Sequence, residues 1–239
     1  MKTILLCLML FSTLTLNGCT RTNQRPEPEM TTPVVTEVPA DTHESAAASV
    51  PSADDVFEDI IHQYQTALSS NANAQQMMEL GLNYMIPGCL DQDERAHVGY
   101  FLGDVNGDGE KELVIAASSE SEYYTGLIFA MYIVEDGTPR LLVESGERNR
   151  WYYAGEGKLL NIASSSASES GWYLCTADEE LAYLDAVECN AAQYPDDPWL
   201  RFTGETWEHI AEEDANQKIL DFTCMVSNLN IIDLAKAFS

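Results

Sequence analysis

Basic residues are scarce in this sequence: 12 Lys and Arg stand against 39 Asp and Glu, for a formal net charge of −27 at pH 7. Phosphate contacts need a basic surface, so nucleic acid is excluded as a partner class. No C-x-x-C pair occurs among the 6 cysteines, which removes the common zinc and redox frameworks. H-E-x-x-H and G-x-S-x-G are missing as well, so neither the helical zinc-peptidase site nor the nucleophile elbow is written here. His97 and His209 stand at no metal-ligand spacing, His43 reads as solvated, and His62 reads as a packed or surface residue. No clean internal repeat is visible, which weighs against a piece of β-propeller.

Aromatic residues are missing between Thr20 and Ala53, where five of the 9 prolines fall. Such a segment cannot bury enough apolar surface to offset the entropy of ordering. Proline favours extended chain, and 34 residues at about 3.1 Å each would reach roughly 100 Å. Residues 19–53 are expected to form a disordered Pro/Thr/Ala/Glu-rich tether.

What precedes the tether explains its use. "MKTILLCLMLFSTLTLNGC" has one basic residue, Lys2, and then an apolar run from Ile4 to Leu16. A short basic start, an apolar middle and a small residue near the end make a secretory signal peptide over residues 1–18. The run is short for a membrane span. Its end, Leu16-Asn17-Gly18-Cys19, resembles the lipobox of bacterial lipoproteins. The resemblance implies cleavage before Cys19 and a diacylglyceryl group on its sulfur. That lipid would hold the chain to a cell membrane on the extracytoplasmic side, since two acyl chains suffice for stable anchoring.

Residues 54–239 are long enough and rich enough in aromatics for a single domain with its own core. Lys2, Arg21, Arg25, Glu27, Glu29, Glu37, Asp41 and Glu44 precede this stretch, leaving 9 basic against 34 acidic residues, a net −25. The excess favours solubility and attracts cations. Cys89, Cys175, Cys189 and Cys224 permit two disulfides, in three pairings, or remain buried thiols.

The domain begins with helical periodicity. Val56, Ile60, Tyr64 and Ala67 share a face, with Phe57, Ile61 and Leu68 beside them, and Ser52 and Asp55 have capping-box spacing. A second helix is expected over 73–86, stopping at Pro87-Gly88, with Met77, Met78, Leu80 and Met85 as core or as a soft surface. From His97 the period changes to short β-prone runs: VGYFL, ELVIAA, GLIFAMYIV, RLLVE, RWYYA, KLLNIAS, GWYLC and LAYLDAVE. Turn signals such as Asp136-Gly137 and Gly155-Glu156-Gly157 separate some of them. Turn-length connections require antiparallel pairing. GLIFAMYIV, apolar on both faces, reads as a central strand. Residues 190–202 read as a loop. A last helix is expected over 212–226, with Ala215, Ile219, Phe222 and Val226 inward and Glu212, Glu213 and Asp214 at its positive N-terminus. These elements predict an α+β fold of N-terminal helices, an antiparallel β-meander and a C-terminal helix.

The densest acidic motif is "DVNGDGEKE", residues 104–112. Hard oxygen donors at alternate positions can wrap a divalent cation, and Gly109 permits the sharp turn. The spacing matches the first half of an EF-hand loop, but loop position 12 is Ile115 and the flanks are strands. The stretch resembles the β-flanked calcium loops of FG-GAP and VCBS repeats. That resemblance implies calcium held by the side chains of Asp104, Asn106 and Asp108, the backbone carbonyl of Glu110, and Glu112 as terminal carboxylate. Glu112 stands where those repeats usually have Asp. As a whole, lipobox, tether, helix, strand–loop–strand unit and meander resemble uncharacterised bacterial surface lipoproteins of clostridial and related gut bacteria. The resemblance implies an architecture and carries no activity.

The remaining candidates are general. Asp196 and Asp197 could serve glycoside hydrolysis or be solvated. Trp151, Tyr153, Trp172 and Tyr173 could stack on sugar rings or fill the core. Ser-rich 163–171 reads as a flexible turn. The expected function is a membrane-anchored, calcium-stabilised binding or adhesion module with an extracellular glycan or protein ligand. The alternative is an extracellular hydrolase of glycan or peptide, distinguished by a cleft holding an acid/base pair. The anchor is directly testable: Cys19→Ala is expected to abolish incorporation of labelled fatty acid, and undiminished labelling would remove the lipobox reading.

Overall fold

Helical spacing of apolar residues brings Phe57, Ile61, Tyr64 and Ala67 into the core from α1 (Ala53–Ser69). Ile60 and Leu68 pack at the margins of the same cluster. The computed structural model describes residues 53–234, except 91, 96, 123 and 179, all within one compact unit. The signal segment, Cys19, the tether up to residue 52 and Ser52 of the expected capping box lie outside the described residues, and Ala53, placed at the end of the tether, instead opens α1.

The expected second helix is divided in two. α2 (Ala74–Glu79) starts with a capping box between Asn73 and Gln76. It stops at Gly81, which takes φ +70°. There Gly81 N–H donates to Met78 O (3.0 Å) and Leu82 N–H donates to Met77 O (2.9 Å), the paired bonds of a Schellman end. α3 (Met85–Cys89) then runs through Pro87 and Gly88 instead of ending before them. Pro87 falls in the first turn, where no backbone N–H is needed. Met77 and Met85 are core residues, whereas Met78 and Leu80 are exposed. A short α4 (Gln92–Arg95) leads to the sheet.

Eleven strands form that sheet. Eight follow the runs read from the sequence: β1 (Val98–Gly103), β2 (Glu112–Ala117), β3 (Leu127–Glu135), β4 (Thr138–Glu144), β5 (Asn149–Tyr153), β6 (Lys158–Ser166), β7 (Glu169–Thr176) and β8 (Tyr183–Asn190). The Ser-rich segment is therefore mostly paired strand, with its turn at the β6–β7 tip. The expected loop over 190–202 is corrected at its end: its last four residues pair with β8 as β9 (Trp199–Phe202), and β10 (Trp207–His209) extends the meander beyond it. α5 (Glu212–Met225) follows, and β11 (Ile232–Asp233) pairs with β1. The spatial order is β10-β9-β8-β7-β6-β5-β3-β2-β1-β11, with β4 on β3, and all pairs are antiparallel. The fold is α+β and mostly β. Asp136 and Gly137, at φ +51° and +75°, make the left-handed pair that matches a tight hairpin between β3 and β4.

β3 is central, and its second edge is shared. Leu127 and Ile128 pair with β5, while Ala130 to Glu135 pair with β4. Phe129 lies at the changeover. Across to β2 the register skips it, passing from Ile115↔Ala130 to Ala116↔Ile128, which marks a bulge. The extra residue resets the alternation, so Phe129 and Ala130 both join the core under the N-terminal helices, while Ile128 and Met131 face the opposite cluster.

A bulge turns backbone groups out of the ladder, and buried groups of that kind must find other partners. Phe129 O accepts from Asn83 Nδ2 (2.9 Å) and from Ser145 N (2.9 Å). The Ser145 hydroxyl donates to Ile128 O and accepts from Trp151 N (3.0 Å). Asn83 Nδ2 also donates to Ser145 O (2.8 Å) and lies 3.1 Å from Glu144 Oε1. Its N–H donates to the Tyr64 hydroxyl (3.1 Å), which sits 3.4 Å from that of Tyr132. Asn83 and Ser145 are each 1 % exposed.

The helices cover one face of the sheet. α1 to α3 pack on Leu113, Ile115, Leu127 and Phe129. α5 lays Ala215 and Phe222, with Ile219 and Val226, over Leu160, Leu174 and Val187. The opposite face holds Val105, Val114, Ala116, Ile128, Met131, Trp151, Leu159 and Cys175. Asn83→Ala would leave the carbonyls of Phe129 and Ser145 short of a donor. The expected loss is about 1–3 kcal/mol of unfolding free energy in urea titration, chiefly from Ser145 O, since Phe129 O keeps the Ser145 N–H. A loss below about 1 kcal/mol would mean that the junction does not depend on this amide.

Candidate metal-binding loop

β1 and β2 close as a hairpin at Gly103↔Glu112, so residues 104–111 form its loop. Gly107 and Gly109 take φ +88° and +92°, a left-handed region closed at low energy to residues with a Cβ. The acidic side chains fold back on the loop's own amides. Asp104 accepts from Gly107 N (2.6 Å) and Gly109 N (3.0 Å), and Asp108 accepts from Glu110 N (2.7 Å) and Asn106 Nδ2 (2.9 Å). Asn106 Oδ1 accepts from Asp108 N (3.0 Å). These Asx-type bonds build the turn that the spacing suggests.

Glu112 differs from the rest. It is the first residue of β2 and alternates with Val114 and Ala116, so it shares their side of the sheet, opposite the helices, and is 2 % exposed. Its Oε2 accepts from Val105 N (2.6 Å). Burial pushes its carboxyl up to about 7; the charges of Asp108 and Asp104 act in the same direction, and the N–H bonds from Val105 and Asn106 oppose them. The turn between β5 and β6 braces the loop from outside: a Cβ on Gly157 would come within 2.8 Å of Asn106 O. Gly157 O in turn accepts from Ala177 N (2.9 Å), tying the brace to the end of β7.

Asp104, Asn106, Asp108, Glu110 and Glu112 are thus gathered in one hairpin. Asp104, Asp108 and Glu110 are exposed, Asn106 is half-buried and Glu112 is buried. As the side chains stand, no three His, Cys, Asp or Glu among the described residues are grouped to hold a metal ion. The donor set fits a hard cation in kind, since it offers only oxygens with several negative charges. In position, the carboxylates face backbone N–H groups that an ion would have to replace.

The other candidates separate. Asp196 and Asp197 are exposed, and Asp197 pairs with His209 at 3.2 Å. Trp151 is core, and Trp172 lies in the α5 cluster with Trp199, 6.5 Å between centroids. Tyr153 packs against the opposite cluster. Tyr173 alone of the four joins a partly exposed aromatic row, half-buried with Phe202 beside the exposed Tyr183 and Trp207. Those three gave no signal in the sequence because their neighbourhood exists only through strand pairing. Cys175, Cys189 and Cys224 are free thiols, which excludes the two-disulfide arrangement. Burial pushes the Cys175 thiol up to about 12. Comparison with protein-family models, curated proteins and solved structures finds no match.

A raised Glu112 has a signed consequence for the metal-free protein. Its carboxyl ionises near 4.5 unfolded and near 7 folded. Between those values the folded state holds the extra proton, so stability falls as pH rises from about 4.5 to about 7. The fall is on the order of 3 kcal/mol if the whole shift is expressed. Urea titrations in EDTA are expected to show Glu112→Gln gaining on the wild type across that window. A constant gap would mean that Glu112 titrates normally.

Proposed function

We propose that the protein is a membrane-anchored extracellular binding or adhesion module whose β1–β2 loop takes up calcium. The observation that carries the metal is Glu112, a carboxyl buried beside the charges of Asp104 and Asp108. A divalent cation would offset that repulsion and keep Glu112 ionised. On this reading Asp104, Asn106 and Asp108 bind through side chains, Glu110 through its carbonyl and Glu112 as the closing carboxylate. The ion supplies charge neutralisation and fixes the hairpin. Anchorage at Cys19 and the 19–53 tether would present the domain, with its net −25, to a glycan or protein ligand outside the cell.

A hydrolase is the second reading, favoured by one fact: a carboxyl near 7 suits a general acid. Glu112 is held by Val105 N inside the hairpin, and the pocket at the end of β6, β7 and β8 does not include it. The binding reading is therefore preferred.

Extracellular calcium modules bind at about 10⁻⁴ to 10⁻³ M. At a hundred times the dissociation constant, calcium would add about 2.7 kcal/mol. For a domain of this size that is a melting shift on the order of 5–11 °C. Magnesium is expected to do much less, because it keeps its waters and needs a smaller octahedral shell. Asp104→Ala and Asp108→Ala should each remove most of the shift, and Glu110→Ala should retain it. A wild-type melting curve unmoved by calcium, with no heat in calorimetric titration, would leave an acidic hairpin without a metal.

A further inference from the structure

Gly171 on β7 stands directly across from Glu188 on β8. A Cβ at Gly171 would lie 2.3 Å from the Tyr173 hydroxyl and 2.4 and 2.5 Å from its ring carbons. The missing side chain thus lets Tyr173 lie back across its own strand, where its hydroxyl donates to Glu188 Oε1 at 2.6 Å. Beside this pair is a pocket of about 240 Å³, whose lining includes Ser165, Glu169, Gly171, Tyr173, Glu188 and Asn190. Ser165 donates its hydroxyl to Glu169. Glu169, Tyr173, Glu188 and Asn190 are half-buried.

The lining side chains are acidic or neutral, and the exposed Arg148 reaches only the rim, where its Nη1 donates to Ser165 O (3.3 Å). Two carboxylates line the pocket, and no basic side chain does. Among the described residues, neither Glu169 nor Glu188 pairs with a lysine, arginine or histidine. Next to it runs the aromatic row. Tyr183 stacks on Tyr173 with centroids 5.2 Å apart, Phe202 meets Tyr183 edge-on at 6.3 Å, and Trp207 lies 5.5 Å from Phe202. Tyr183 is 53 % exposed and Trp207 38 %. Carboxylates repel anions, and half-buried ones attract cations more strongly than exposed ones do. Aromatic faces attract cations too, above all poorly hydrated ammonium groups. A bare metal ion would gain little from ring walls. The volume lies below the roughly 300–1,000 Å³ of drug-sized pockets, which suits a single head group.

We propose that this pocket binds an organic ammonium group, with Glu188 and Glu169 as its counter-charges and the ring of Tyr173, held from behind by the stacked ring of Tyr183, as its aromatic wall. The inference rests on the binding-module reading and names the chemistry of its ligand. It gives the acidic surplus a directed use, since the whole field draws cations toward the site.

The test is calorimetric titration of the full chain with choline, with glucosamine and with N-acetylglucosamine, in calcium buffer. Choline and glucosamine should bind at least tenfold more tightly than N-acetylglucosamine, which has the sugar ring without the charge. Glu188→Gln keeps the shape and should weaken the amines about tenfold, and Tyr183→Ala should weaken choline severalfold. No heat with either amine, equal binding of N-acetylglucosamine, or unchanged affinity in Glu188→Gln would each overturn the assignment. A glycan array read in parallel separates the two levels. Retention that persists without amine binding removes the pocket and leaves the module, whereas loss of both removes the pocket and the glycan ligand of the module.

Discussion

A β-strand has two hydrogen-bonding edges, and β3 has three neighbours. It gives one edge to β2 and divides the other between β4 and β5. The division requires a point where the ladder changes partner, and backbone groups at that point are buried. The bulge at Phe129 creates the point, and Asn83 and Ser145 satisfy it. Everything on either side follows. Toward β2 and β1, the reset alternation directs Phe129 and Ala130 to the N-terminal helices. Toward β5, it starts a meander that runs without crossover to β10. Asn83 comes from the turn between α2 and α3, so the Gly81 break in the expected second helix is what brings an amide to the junction.

The acidic hairpin depends on that frame in its own way. Its loop is local, but Glu112 is buried because β2 is sandwiched between β1 and β3 and because the Gly155–Gly157 turn rests on Asn106. A carboxylate on a solvated loop would have cost little. Set as the first residue of a core strand, it links the charge state of the loop to the cohesion of the sheet. The pH response of the loop and the stability of the sheet are then different readings of one local free energy.

What could be read in advance was local. β1 to β8 lie within a few residues of the apolar runs, the Asp136-Gly137 hairpin follows from two residues that tolerate positive φ, and α5 turns the anticipated face inward. The five loop residues fell together because they are neighbours in sequence. What could not be read was pairing. Register decides that Trp172 meets α5 while Tyr173 meets Glu188, and no single strand encodes the phase of its neighbour. β9, β10 and β11, with four, three and two residues, are too short for alternation to show. The bulge at Phe129 was hidden because GLIFAMYIV is apolar at every position and so carries no phase at all.

The pairing of β1 with β11 sets an order of events. Gly99 has no side chain, and a Cβ there would lie 2.3 Å from Ile232 O, so this strand contact excludes any larger residue. β2 to β10 take partners only from nearby sequence, whereas β1 pairs with β2 on one edge and waits on the other for a segment from the far end of the described chain. As a chain emerges N-terminus first, β1 and β2 can pair early, but the outer edge of β1 stays open until Ile232 and Asp233 have appeared. An open edge is a template for other strands. The interval between the birth of β1 and the arrival of β11 is therefore a period in which this edge can take the wrong chain.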